Sequence, residues 1–95
     1  MAEVSKETGV LVALARRMTD ERLPKALALK ERVDRGQVLN ELDLRFLEQV
    51  VEDTRRIQPI LESNPRAKEV AGRMLQLYRE ITQKALENEQ QRKEA

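Results

Sequence analysis

Five carboxylates crowd one short stretch of the chain: Glu41, Asp43, Glu48, Glu52 and Asp53. Glutamates facing inward from bundle helices can hold a metal pair, but that chemistry also wants Glu-x-x-His partners. The chain has no His, and helical spacing turns Glu48 and Glu52 outward, so a solvated surface is expected there. Acids also flank Gly36, which invites a calcium loop. With Gly36 at its sixth position, Val33, Arg35 and Leu42 would fall at the third, fifth and twelfth, where ligands belong. None offers a carboxylate, which excludes an EF-hand. Neither a metal nor a cofactor is expected.

Asp53 differs from the other acids. It falls at the edge of an apolar seam, between the directions of Leu42 and Phe46. A carboxylate there requires a partner or water. The expected partner is an Arg or Tyr78 on a neighbouring helix, with Asp53 orienting packing instead of acting as a catalytic acid.

The bases form their own pattern. Arg22, Lys25, Arg32 and Arg35 line one helix side and could track phosphates or dock an acidic partner. Six Glu-to-base pairs at i,i+4 weigh against a free cationic face: Glu21–Lys25, Glu31–Arg35, Glu52–Arg56, Glu69–Arg73, Glu80–Lys84 and Glu89–Lys93. With a net charge of +1 and only Phe46 and Tyr78 as aromatics, both a charged groove and a stacking platform are disfavoured. The helix following Gly36 begins with acids, which would repel a DNA backbone. A dimeric nucleic-acid-associated regulator is the second reading.

Without Cys or His, thiol nucleophiles, disulfides, Cys/His zinc sites and serine–histidine triads are all excluded. No nucleophile–base pair is visible, so no enzyme is expected. The longest apolar run, Val10 to Ala15, is too short to cross a bilayer and lacks a leader-like flank. No membrane role and a cytoplasmic location are the expectation.

These side chains must be positioned by helices. Asn40 is a natural N-cap with Asp43 at N3, and Leu39 and Leu44 form a staple. Gly36 suits the end of the preceding helix, and Asn64–Pro65 suits the start of the last. Helices are expected near 5–18, 20–35, 41–62 and 65–90, in one domain over 1–95 with loose ends at 1–4 and 91–95. The middle helix carries Leu42, Phe46, Val50, Ile57 and Leu61, widened by Leu44, Leu47, Val51 and Thr54; Pro59 kinks or ends it. The last carries Ala67, Val70, Met74, Leu77, Tyr78, Ile81 and Ala85.

The first segment changes phase. Val10, Leu11, Leu14, Ala15 and Met18 share a face, whereas Leu23, Ala26, Leu27, Leu29 and Val33 lie on one rotated by roughly 100°, about one residue. The shift coincides with Pro24 and with Thr19 and Asp20 as possible caps, so a break or kink near Thr19–Pro24 is expected. There the N-terminal arm would leave the bundle.

The expected fold is thus all-α, an antiparallel bundle of three long helical segments. A thin aliphatic core and a Val10–Ala15 run apolar on both sides suggest a homodimer through Val10, Leu11, Leu14 and Met18. The function expected is non-enzymatic: self-association and docking of a partner protein on an amphipathic helical face.

Overall fold

The computed structural model describes residues 6–94. The elements, in order, are α1 (Lys6–Arg17), a π-helical turn (Met18–Arg22), α2 (Leu23–Asp34), α3 (Glu41–Arg56), a 3₁₀ turn (Gln58–Ile60) and α4 (Pro65–Glu94). The fold is an all-α bundle, with no strand among the described residues.

The interruption expected near Thr19–Pro24 is present, but it is a widened helical turn and not a gap. Arg17, Arg22 and Leu23 all keep right-handed helical dihedrals, and no side chain caps a new start. Thr19 donates from its hydroxyl to the Ala15 carbonyl (3.1 Å) instead of capping. The Leu23 N–H bonds to the Met18 carbonyl, five residues back instead of four. Pro24 has no N–H to continue the α ladder, so rearranged bonding costs least here. One extra residue per turn rotates everything beyond it by roughly 100°, which is the phase error in the sequence. Leu14, Ala15 and Met18 therefore share one core with Leu23, Ala26, Leu29 and Val33. Both halves pack along α4, so the N-terminal arm does not leave the bundle at Pro24.

The remaining boundaries follow from local chemistry. Gly36 adopts φ 94°, where a Cβ would be strained. Its N–H bonds the Val33 carbonyl (3.0 Å) and Gln37 N–H bonds the Arg32 carbonyl (3.2 Å), closing α2 with a Schellman motif. At α3, Asp43 N–H donates to the Asn40 side chain (2.8 Å) and Asn40 N–H to the Asp43 carboxylate (3.0 Å). Pro59 ends α3 early: the helix stops at Arg56 and one 3₁₀ turn buries Ile57 and Ile60 before Asn64 caps α4.

Contacts between elements fix their direction. Arg22 meets Asp53 and Arg32 meets Asp43, so α3 runs antiparallel to α2. Leu23 lies beside Val70, and Asn88 donates to the Val33 carbonyl (2.7 Å), so α4 runs parallel to α1–α2. The order is up, down, up, and the bundle measures 63 × 20 × 17 Å.

Three details depart from the expected pattern, the first being Leu27, which is 39% exposed while Leu23, Ala26, Leu29 and Val33 of the same expected face are buried. Leu42 is 73% exposed; the buried stripe of α3 runs through Phe46, Leu47, Val50, Asp53, Thr54 and Ile57. Asp53 thus lies within that stripe, not at its edge. At the other end, residues 91–94 continue α4 as helix, and residues 1–4 lie outside the described residues. Asn88 anchors this stretch: it is buried and donates to both Val33 and Gln37 carbonyls (2.7 and 2.9 Å).

The π turn makes a length prediction. Deleting Asp20 together with Pro24→Ala leaves Met18 and Leu23 four apart, so an ordinary α-helix keeps both faces inward. Thermal melts of this variant should stay within about 5 °C of the parent. Deleting Ala28 instead rotates Leu29 and Val33 out of the core and should lower the melting temperature by more than about 15 °C.

Candidate functional site

The polar residues singled out in the sequence gather along the α2–α3 seam. Arg22 Nε donates to Asp53 Oδ2 (3.2 Å), and Gln49 Nε2 donates to Asp53 Oδ1 (2.8 Å). Asp53 is 1% exposed. Its partner is Arg22 and not Tyr78. One turn along, the Lys25 ammonium sits 4.9 Å from the centre of the Phe46 ring. At the far end Arg32 grips Asp43 with two parallel bonds (2.9 and 3.0 Å). That guanidinium fork, aided by the Asn40 N–H, holds the Asp43 carboxyl below the ordinary carboxylate range despite partial burial. Every buried side-chain nitrogen and oxygen among the described residues has a partner.

These contacts settle the position of the basic stripe. Of Arg22, Lys25, Arg32 and Arg35, the first three turn onto α3, Arg22 and Arg32 in ion pairs and Lys25, still exposed, over the Phe46 ring, whereas Arg35 is exposed and makes no ion pair. They do not line up as a phosphate-tracking face. None of the six predicted i,i+4 pairs forms an ion pair. Glu21 joins Arg17, Glu52 joins Arg55, and Lys84 joins Glu87, while Lys25 leaves for Phe46. Exposed pairs are weak enough for a different neighbour to win.

The N-terminal stripe is spent within the chain. Met18 is fully buried, Leu14 is buried and Leu11 half-buried, all in the chain's own core. Only Val10, 55% exposed, remains open, beside Leu11 and Arg56 in a shallow depression. Leu14 and Met18 are therefore not available as a surface for a second subunit.

The apolar surface left uncovered lies between α3 and α4. Leu39, Leu44, Thr82, Ala85 and Leu86 line an open groove of about 320 Å³, with Glu89 at its end. Leu44 is 49% exposed and Leu86 61%. The strip continues along α4 through Thr82 and Tyr78 to Leu75, which is 48% exposed, and along α3 to half-buried Val51. Residues 75, 78, 82 and 86 are spaced by three and four, so they share one shoulder of α4. The groove stays open because α4 packs more closely on α2 than on α3. Leu77 and Asn88 accordingly turn inward on the α2 side, whereas Tyr78, on the α3 side, reaches the surface.

A second groove, about 270 Å³, lies beside the π turn and is lined by Thr19, Asp20, Leu23, Glu69, Arg66 and Arg73 among others. Its acids and bases alternate, and the Thr19 hydroxyl donates to the Ala15 carbonyl. Among the described residues no three acids gather as a metal site would require, and no helix is long and apolar enough to cross a membrane.

Sequence reading missed the α3–α4 strip and Asn88. A signal for the strip was present: Leu75 and Leu86 are leucines left outside the main stripe of α4. Leucine placed off the core face is the pattern of a second apolar shoulder. Asn88 carried no signal, since its partners are backbone carbonyls more than fifty positions away in sequence.

No family model, no curated protein and no solved structure matches the chain.

Leu14→Glu is expected to unfold the chain, because its carboxylate would enter the core; urea denaturation should show a loss of at least about 3 kcal/mol. Asp53→Leu strands the Arg22 guanidinium and should cost about 2 kcal/mol, moderated because Arg22 can turn to water, while Asp53→Leu with Arg22→Met should recover most of it. The Arg32–Asp43 pair carries a pH signature. Its carboxyl titrates lower in the folded chain, so its contribution is complete above the usual carboxylate value near about pH 4 and fades as pH falls through the lowered one. Asp43→Asn should flatten that acid limb in pH-dependent urea melts.

Proposed function

We propose that this chain is a non-enzymatic docking protein whose α3–α4 groove receives an amphipathic helix. One observation carries the reading: of the seven large apolar side chains left exposed among the described residues, four gather on one strip, Leu44 and Leu86 in the groove and Leu75 and Tyr78 along the same shoulder of α4, whereas Val10, Leu27 and Leu42 lie apart from it. Contiguous exposed apolar surface on a small protein commonly marks an interaction site. A groove between two helices suits a third helix with anchors at i, i+3, i+4 and i+7. Self-association and partner binding then share a surface on a different seam from the α2–α3 ladder.

This reading moves the site expected from the sequence. The amphipathic face is no longer Val10–Met18 but the shared shoulder of α3 and α4. The ladder of Arg22, Lys25 and Arg32 serves the groove indirectly, by fixing α3 against α2 so that the gap opens towards α4.

The test uses an isotope-labelled chain and a small panel of leucine-rich amphipathic helical peptides with acidic or basic flanks. At least one peptide should bind, with resonance shifts confined to residues around Leu44, Thr82, Ala85 and Leu86. Leu44→Glu combined with Leu86→Glu should abolish those shifts and leave the far-ultraviolet helical signal unchanged. Shifts centred on α1, or binding that survives both substitutions, would rule the groove out.

A further inference from the structure

We infer that the occupant of the α3–α4 groove is a second copy of this chain, related by a twofold axis running along the groove. The inference rests on the docking reading above and adds the identity and orientation of the partner. Its argument is the charge on the groove's two rims. Glu48 lies just outside Leu44 and Val51 on α3, and Arg79 just outside Leu75 and Leu86 on α4, by the 3.6-residue repeat. Both are exposed, and neither takes part in an ion pair.

Their heights match. Leu44 lies beside Ala85 and Leu86, and α3 and α4 run in opposite directions. Four residues along α3 to Glu48 therefore correspond to four back along α4, to the level of Ile81 and Thr82. Arg79 lies within about one helical turn, ~5 Å, of that level. One wall of the groove thus carries an acid where the other carries a base.

A face-to-face dimer can place its axis two ways. An axis across the groove sets α4 on the partner's α4. Arg79 would then face its own copy within about one turn, and Glu48 would face Glu48, both repulsive. An axis along the groove sets α4 on the partner's α3. Glu48 of each copy then faces Arg79 of the other, twice per dimer, and Leu44 and Val51 pack on Leu75, Tyr78 and Leu86. Isologous contact requires this self-complementarity. Both arrangements are antiparallel at every adjacent helix pair, so the helix dipoles do not choose between them and the rim charges do. The four helices α3, α4 and their symmetry mates close into a bundle over the exposed leucines.

The experiment is sedimentation equilibrium across protein concentration on the parent chain, Leu86→Glu, Glu48→Arg, Arg79→Glu and the Glu48→Arg/Arg79→Glu double variant, with circular dichroism confirming helicity. The parent should dimerise, and Leu86→Glu should be monomeric. Each single charge reversal should weaken the dimer by at least about tenfold, and the double reversal should restore it. A dimer unaffected by Leu86→Glu would place the interface elsewhere and overturn the inference. Single reversals without effect, or no recovery in the double variant, would overturn the axis along the groove. A parent chain that stays monomeric at the highest concentration but still binds a peptide in the groove would remove the second copy as occupant while leaving the docking reading intact. Loss of both would defeat the two together.

Discussion

The hydrogen bond from the Leu23 N–H to the Met18 carbonyl is the constraint on which the rest of the bundle depends. A helix of twenty-nine residues cannot keep an apolar stripe on one neighbour if the stripe slips by one position halfway along. The slip between Met18 and Leu23 is absorbed by a single π turn, placed beside a proline that could not have continued the α ladder. With the turn in place, Leu14, Met18, Leu23 and Val33 all enter one core. An uninterrupted α-helix would instead expose either its first half or its second.

Several consequences follow from that rotation. Arg22, Lys25 and Arg32 come to face α3, where they meet Asp53, Phe46 and Asp43 in succession. These contacts set the register of α3 by chemistry more specific than aliphatic packing. Asp53 is buried, and a shift of α3 by one turn would part it from Arg22, a penalty of several kcal/mol by order of magnitude. At the far end, Asn88 ties α4 to the carbonyls that close α2. Two seams of the three-helix arrangement are therefore locked by polar contacts. The third, between α3 and α4, has apolar shoulders and no such lock, and it is the one that stays open. In this way the seam proposed as the docking site is left open by how the first helix resolves its phase.

Local signals in the sequence were reliable where the physics is local. Asn40 with Asp43, Gly36 with its Schellman bonds, and Asn64 with Pro65 all act within a few residues of themselves, and each boundary stands where those residues place it. The phase change was legible too, as was the need of Asp53 for a partner, although whether Arg or Tyr78 would supply it was not. What composition and periodicity could not decide was how the phase change would be accommodated. A break with a cap and a π turn produce the same one-residue slip, and they differ only in whether both halves then find the same neighbour. α4 supplies that neighbour over its whole length, so the continuous helix wins and the Val10–Met18 stripe is consumed. The opposite helical pairs failed for a different reason: Glu21 and Lys25 each had an alternative partner, and exposed ion pairs are too weak to choose between them.

The most direct measurement is of the π turn itself. Scalar coupling transmitted through hydrogen bonds in an isotope-labelled chain identifies which carbonyl accepts the Leu23 amide proton. The account requires coupling to the Met18 carbonyl, five residues back. Coupling to the Thr19 carbonyl would mean an unbroken α register, a first helix that presents two faces, and an apolar stripe on α1 returned to the surface. That result would contradict both the core described here and the groove that follows from it.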